Sequence, residues 1–157
     1  MVTIESPFPE YAIPRVWVWL EEFRHRVLDD SAPRSLDEFV SVWKAEPKET
    51  WAVYRDGEIG GLVEFRPLSK VAGEARCFFK RTFWTQSTTE TALRKVYAEI
   101  FSRGYLKICN TVFRDNHPLI SLLRSIGATR EGVLERHTLR QGKPADLVLL
   151  ATFKEKF

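Results

Sequence analysis

Only a few residues of this sequence have a type and a position that could support catalysis. Glu64 and Glu74 lie in neighbouring strand-like runs, where a carboxylate could act as a general base, directly or through water. The same pattern is typical of solvent-facing strand residues. His137 lies in a later strand-like run and could face either a groove or the surface. No spacing indicates a nucleophile–histidine–carboxylate arrangement, so the sequence does not assign the catalytic residues.

The two cysteines are interpreted as structural. Cys77 and Cys109 fall within apolar strand-like runs, and neither has the ligand spacing of a metal site. We therefore expect two buried free thiols, no disulfide and no metal.

The segment 84–89 precedes a run with helical spacing and is a second place where chemistry could occur. Ser87 and Glu90 have the spacing of a capping box, in which the serine would satisfy the first N–H groups of the helix. A helix start whose N–H groups stay free is instead favourable for binding an anion. Both interpretations stay open.

The region 105–153 has the clearest pattern of secondary structure. Alternating residues over 106–113 predict a mostly buried strand. Asn116 can cap the helix that follows, and Gly127 can end it. Two further strand-like runs flank the sequence Gln-Gly-Lys-Pro and predict a hairpin, namely Val133–Arg140 and Ala145–Phe153.

The preceding part of the chain predicts a short strand, two amphipathic helices, three strands and a third helix. Asp56–Gly57 predicts a tight hairpin turn between the second and third strands. The complete order is β-α-α-β-β-β-α-β-α-β-β, which indicates an α+β fold with a mixed sheet. Because a helix connects them, the strand containing Phe78 and the strand containing Ile108 should run parallel.

Composition limits the class of protein. The chain has 157 residues, 44% of them hydrophobic and 29% charged, which predicts a single domain, residues 1–157, with a sizeable core. There is no apolar run long enough for a membrane span and no secretion signal, so we expect a cytoplasmic protein.

The net charge of +3 is spread along the chain, which does not favour nucleic-acid binding. The five Trp and eleven Phe could fill the core, or some could form an exposed patch for a protein partner or a second copy.

The sequence resembles the GNAT superfamily of N-acetyltransferases, and in particular its ribosomal-protein-acetylating members. The resemblance extends over nearly the whole element order and is carried by Asn116, by Gly127-Ala128 eleven residues later, and by Glu131-Gly132-Val133-Leu134, Gly142 and Asp146. It implies the acyl-CoA N-acyltransferase fold, in which acetyl-CoA binds between two splayed strands.

The resemblance also implies a set of cofactor-binding positions, which are Phe79, Lys80, Trp84, Ser87, Thr88, Thr89 and Asn116. The chain departs from the family pattern here, because the glycines of the pyrophosphate loop correspond to Ser87 and Thr89. Glycine would let backbone N–H groups converge on the phosphates, whereas Cβ atoms crowd them and only the hydroxyl groups could compensate. The tyrosine that protonates the leaving thiolate in many members corresponds to Leu123.

Two functions follow from the resemblance. The first is an acetyl-CoA-dependent N-acetyltransferase that acts by direct transfer on a primary amine, either a protein N-terminus or a small molecule. The alternative is a catalytically inactive member of the fold, such as a phage-encoded interaction or assembly component.

Overall fold

The computed structural model describes residues 1–157 and contains seven strands and four α-helices. The strands are β1 (Val2–Glu5), β2 (Glu49–Arg55), β3 (Glu58–Pro67), β4 (Ala72–Phe79), β5 (Lys107–Phe113), β6 (Thr129–Arg140) and β7 (Lys143–Phe153). The helices are α1 (Ile13–Val27), α2 (Leu36–Ala45), α3 (Gln86–Ser102) and α4 (His117–Ser125). This order confirms the predicted α+β fold. No helix is long and apolar enough to cross a membrane.

All seven strands form one mixed sheet in the order β1-β2-β3-β4-β5-β7-β6. Only β4 and β5 are parallel, and α3 connects them. Their pairing covers Ala72–Glu74 against Lys107–Cys109 and then stops. The predicted parallel, splayed pair is therefore confirmed.

Each face of the sheet has its own apolar core. Under α3 and α4 the core includes Trp51, Phe65 and Tyr97, all fully buried. On the other face, α1 and α2 cover a smaller core that includes Val16 and Leu62. These two layers hold β4 and β5 in place on both sides of their splay.

The turns follow the predicted chemistry with one difference. Asp56 and Gly57 have φ values of 52° and 82°, as the tight hairpin turn requires. In the second hairpin, Gln141 and Gly142 alone make the turn, with φ of 52° and 72°. Lys143 already belongs to β7, so the predicted four-residue connection is too long.

Every tryptophan is buried or half-buried, so among the aromatic residues only side chains such as Tyr11, 72% exposed, could contribute to the exposed patch of the second interpretation. Trp17 packs on Phe39, with ring centroids 5.6 Å apart, and carries the guanidinium of Arg24 at 5.2 Å. The buried aromatic residues are thus divided between the two cores, on both faces of the sheet.

Candidate functional site

The splay leaves an opening between β4 and β5. Beyond Glu74, β4 pairs only with β3, and beyond Cys109, β5 pairs only with β7. The backbone edges that face each other across the opening therefore have no strand partner. A cavity of about 400 Å³ occupies this space.

A buried side-chain network closes the apex of the opening. The amide nitrogen of Asn110 donates to the carbonyl of Ala75 at 2.9 Å. The same nitrogen lies 2.9 Å from the hydroxyl of Tyr97, which is 3.1 Å from the Asn110 carbonyl oxygen. Asn110 thus replaces the backbone pairing that β4 and β5 lose at this point. Burial raises the pKa of Tyr97, which stays a neutral hydroxyl.

The cavity passes from one face of the sheet to the other. On β4, Ala75 and Cys77 contact the core under α3, whereas Phe78 packs against the core under α1 and α2. Arg76 points to that same second face, where it meets Glu46 at the end of α2. All four residues line the cavity. A group held on the α3 face can therefore meet a group that enters from the α1/α2 face.

The segment between α1 and α2, residues 28–35, covers the second face of the sheet and forms the roof of the cavity. Hydrogen bonds from the β6–β7 hairpin hold this segment in place. The carboxylate of Asp30 accepts hydrogen bonds from the backbone N–H groups of Gln141 at 2.7 Å and Gly142 at 2.8 Å. Asp29 accepts a hydrogen bond from Thr138 at 2.8 Å and two from Ser31. Burial alone would raise the pKa of Asp29, but these hydrogen bonds hold it below its ordinary value.

The start of α3 differs from the predicted capping box. Thr85, not Ser87, is the N-cap, and its hydroxyl accepts the N–H of Thr88 at 3.4 Å. Its carbonyl accepts the N–H of Thr89 at 3.0 Å. The backbone N–H groups of Gln86 and Ser87 have no partner in the protein. The helix begins one residue before Ser87, and this correction leaves two N–H groups free.

Glu90 is not free to oppose an anion at this helix start. Its carboxylate pairs with Arg94 at 2.9 Å and accepts a hydrogen bond from Ser125 of α4 at 3.2 Å. The hydrogen bond from Arg94 is the main reason why the pKa of Glu90 lies below its ordinary value. A second cavity, of about 230 Å³, lies between this end of α3 and Pro118, Ser121 and Ser125 of α4.

The predicted cofactor-binding residues do not all come together. Trp84 and Asn116 both line the cavity between β4 and β5. Asn116 also caps α4 by accepting the N–H of Leu119. Phe79 is buried behind Trp84, with ring centroids 5.5 Å apart. Ser87 is exposed at the start of α3.

Three of the predicted side chains point elsewhere. The hydroxyl of Thr88 bonds to that of Thr85 at 2.9 Å, and the hydroxyl of Thr89 donates to the Thr85 carbonyl at 2.9 Å. Lys80 pairs with Glu58 and lies 4.7 Å from the ring centroid of Phe83. Their polar groups therefore bond within the protein itself, and the expectation that the threonine hydroxyls replace glycine N–H groups stays a prediction.

None of the three candidate bases lines the cavity. Glu64 is buried, with 4% of its surface exposed, so its interpretation as a solvent-facing residue is wrong. The end of α2 and Lys48 cover that face of β3, and burial raises the pKa of Glu64. Glu74 pairs with Arg66 at 2.7 Å. His137 is exposed where the β6–β7 register shifts.

The cysteines are free, as expected, but both are half-buried and not fully buried. Cys77 lines the cavity between β4 and β5, and burial raises the pKa of its thiol to about 12. Cys109 lies outside this cavity, and burial also raises its pKa. The alternation of their strands did not reveal that the splay opens a space beside Cys77.

A third cavity adjoins the first at Trp84 and Asn116 and has a volume of about 660 Å³. Arginines dominate its charged lining, namely Arg26, Arg81 and Arg140, against one acidic residue, Asp115. Arg140 donates to Asp115 at 2.9 Å and lowers the pKa of that carboxyl. Arg81 lies 3.4 Å from Glu22, whereas Arg26 has no ion-pair partner, so the remaining charge is positive and favours an anion beside the start of α3.

A mixed sheet with one splayed parallel pair, and a cavity through that splay, define a protein of the N-acyltransferase fold. Residues 10–128 match the model of the acetyltransferase (GNAT) family. The match covers most of the chain, and the protein therefore belongs to this family. A search of curated protein sequences found no significant match.

Solved structures share this fold at low sequence identity. A ribosomal-protein-alanine N-acetyltransferase from Brucella melitensis is 15% identical, with 96% of this chain and 99% of that chain covered and a TM-score of 0.79. A spermidine N-acetyltransferase from Vibrio cholerae, in complex with CoA and spermine, is 15% identical, with coverages of 99% and 96% and a TM-score of 0.84. A protein of Salmonella typhimurium, solved with its cofactor acetyl-CoA, is 12% identical, with coverages of 98% and 94% and a TM-score of 0.80.

Proposed function

We propose that this protein is an acetyl-CoA-dependent N-acetyltransferase that transfers the acetyl group directly to a primary amine, of a small molecule or a protein N-terminus. The observation that carries this proposal is the cavity through the sheet between β4 and β5. It gives a donor on the α3 face and an acceptor on the α1/α2 face a common space. Family membership supports acetyl-CoA as the donor.

The residues present fit acetyl-CoA despite the missing glycines. The free backbone edges of β4 and β5 can hydrogen-bond an extended chain that carries amide groups, as the pantetheine arm does. The free N–H groups of Gln86 and Ser87, together with Arg26, which has no ion-pair partner, are suited to phosphate groups. Trp84 lines the cavities at both sites and can cover the arm between them.

The bound cofactor would supply the activated acetyl group as a thioester. The chain itself would hold the acceptor amine against this group and exclude competing water, which is a contribution of proximity and orientation. Asp29 is the only carboxylate that lines the cavity, and protein donors already bond to both of its oxygens. We therefore propose that the amine loses its proton to solvent water and not to a side chain of the protein.

Calorimetric titration with acetyl-CoA tests this proposal. Ser87→Pro removes one free N–H without breaking a bond in the protein, and α4 already has Pro118 at the second position of a helix. Loss of a hydrogen bond to a charged phosphate should weaken binding by about 10-fold or more. Ser87→Ala keeps the N–H and should bind as the wild type does. Equal affinity of all three proteins for acetyl-CoA would show that the start of α3 is not part of the binding site.

Thiol labelling gives an independent readout of the same site. Cys77 should react slowly, because a thiol pKa of about 12 leaves little thiolate at neutral pH. Acetyl-CoA should slow its alkylation further and leave Cys109 unaffected, because only Cys77 lines the cavity. No calorimetric heat and no protection at millimolar acetyl-CoA would contradict the proposal and favour the non-catalytic alternative.

A further inference from the structure

Two charged side chains line the cavity between β4 and β5, and they differ in what they can still bind. These are Asp29 in the roof and Arg76 on β4. Most of the other lining residues are apolar, among them Val27, Leu28, Pro33, Phe78, Phe113 and Leu147. A ligand on the α1/α2 face therefore meets an apolar wall with one cation and one anion.

The carboxylate of Asp29 already has hydrogen-bond partners at both oxygens. One oxygen of Asp29 accepts hydrogen bonds from the backbone N–H and the hydroxyl of Ser31, and the other accepts one from Thr138 at 2.8 Å. These bonds tie the roof to the β6–β7 hairpin. A cationic group of a ligand would find no carboxylate here that lacks a partner.

The guanidinium of Arg76 keeps N–H groups that have no hydrogen-bond partner in the protein. Nη2 of Arg76 donates to Glu46 at 2.7 Å, and Nε lies 3.6 Å from a carboxylate oxygen of Glu64. Nη1 has no hydrogen-bond partner in the protein. The side chain is 40% exposed although it lies beside a buried cluster of charges. An arginine of this kind can present a flat pair of donors to a carboxylate.

The charged side chains around Arg76 hold its guanidinium in place but do not neutralise its positive charge. Glu46 and Glu64 are also opposed by Lys48, at 3.8 Å and 4.0 Å, and Glu46 by Arg66 at 3.3 Å. Burial raises the pKa of Glu64, in spite of Arg76 and Lys48 beside it. The two glutamates thus position the guanidinium of this cavity residue and leave its Nη1 group without a partner.

We propose that Arg76 binds a carboxylate of the acceptor, and that the acceptor is a free amino acid with an apolar side chain. This inference rests on the proposed function. The apolar wall would take the side chain, Arg76 would take the carboxylate, and the amine would face the opening between β4 and β5. A polyamine lacks the carboxylate and would place positive charge beside Arg76.

Acetylation assays with matched acceptors test this inference. We propose to compare L-leucine, its amide and its decarboxylated amine with spermidine and with a peptide that has a free N-terminus. Leucinamide is an informative comparison, because its amine is less basic and hence more often uncharged than that of leucine. Loss of one charge-assisted pair should lower kcat/KM, expressed per uncharged amine, by about 10- to 100-fold, so on this basis leucine should be the best acceptor in the set.

The variant Arg76→Gln should bring the kcat/KM ratio of leucine to leucinamide, each expressed per uncharged amine, close to one. Arg103→Gln is the matched control, because Arg103 has a similar exposed fraction, 42%, and pairs with Glu49 and Glu99, but neither lines the cavity nor contacts the charges around Arg76. It should keep the ratio of the wild type. If Arg76→Gln does not fold, Arg76→Gln combined with Glu64→Gln removes both charges of the buried pair and should give the same ratio.

The outcomes separate this inference from the function on which it rests. Binding of acetyl-CoA, measured without any acceptor, tests the function alone. If acetyl-CoA binds and spermidine, the peptide or the decarboxylated amine is acetylated better than leucine, the amino-acid inference is overturned and the function stands. Binding without transfer to leucine also overturns it, as does an unchanged ratio in Arg76→Gln. If acetyl-CoA does not bind, both the proposed function and the amino-acid inference are overturned.

Discussion

The two faces of the opening between β4 and β5 use different kinds of polar contact. On the α3 face, a neutral network of Asn110, Tyr97 and the Ala75 carbonyl closes the apex, and all its members are buried. On the α1/α2 face, the neighbouring β4 residue Arg76 belongs to a cluster of charges with Glu46, Glu64 and Lys48. One residue along the strand thus separates a neutral network from an ionic one.

This difference suggests a division of roles. A neutral, fully paired network fixes geometry, since any change leaves a buried group without a partner. An ionic cluster with an exposed member, here Arg76 at 40%, responds to charge, because that member can exchange partners with a ligand. The α3 face would therefore set the shape of the opening, and the α1/α2 face would select what enters it.

The largest effect is expected at the apex. Asn110→Leu would leave the Ala75 carbonyl and the Tyr97 hydroxyl buried without partners, which should cost about 2 kcal/mol or more of unfolding free energy. Chemical denaturation measures this loss. The double variant Asn110→Leu with Tyr97→Phe also lacks the Tyr97 hydroxyl that the single variant leaves without a partner. Its loss of unfolding free energy should therefore be smaller than the sum of the two single losses. Strict additivity would show that the network is not coupled.

A smaller effect is expected at the start of α3. Thr85→Ala removes the N-cap hydroxyl and should lower the unfolding free energy by about 1 kcal/mol, or roughly 2–4 °C in Tm for a chain of this size. Ser87→Ala should change stability by less than about 0.5 kcal/mol, because its side chain accepts no hydrogen bond. The reverse result would restore the capping box predicted from Ser87 and Glu90.

The fold could be predicted from sequence because its signals are local. Alternation, helical spacing, the cap at Asn116 and the turn at Asp56–Gly57 each report on neighbouring residues. The splay itself has one visible signal, since Asn110 is a polar residue at a position where the alternation requires a buried one. Such a residue needs a partner, and its partner lies on the parallel strand.

The site could be predicted only in part, because its members depend on what covers each face. Glu64 alternates as a surface residue would, and only the packing of α2 and Lys48 over β3 shows that it is buried. Arg76 carries no sequence signal, because a splay turns an ordinary strand residue into a cavity residue. At the start of α3, Thr85 and Ser87 are equivalent as caps in sequence, and the choice depends on where the loop ends.

The smallest expected effect concerns the pH dependence of stability on the charged face. Burial raises the pKa of Glu64 in the folded state, in spite of Arg76 and Lys48, so the folded protein holds this proton more tightly than the unfolded chain does. Between the ordinary pKa of a glutamate and the raised value, stability should therefore fall as pH rises. Glu64→Gln lacks this group, so its stability relative to that of the wild type should increase over the same range.

Asp29 gives the comparison of opposite sign. Its pKa is lowered in the folded state, so it stabilises the protein above its ordinary pKa, and this contribution is lost as pH falls through the lowered value. Asp29→Asn should therefore lose stability relative to the wild type at neutral pH and approach it in acid. Thermal melts of the wild type and both variants across the acid range measure the two slopes. If Glu64→Gln and Asp29→Asn shift in the same direction, folding lowers the pKa of Glu64, and its ion pairs with Arg76 and Lys48 outweigh the effect of its burial.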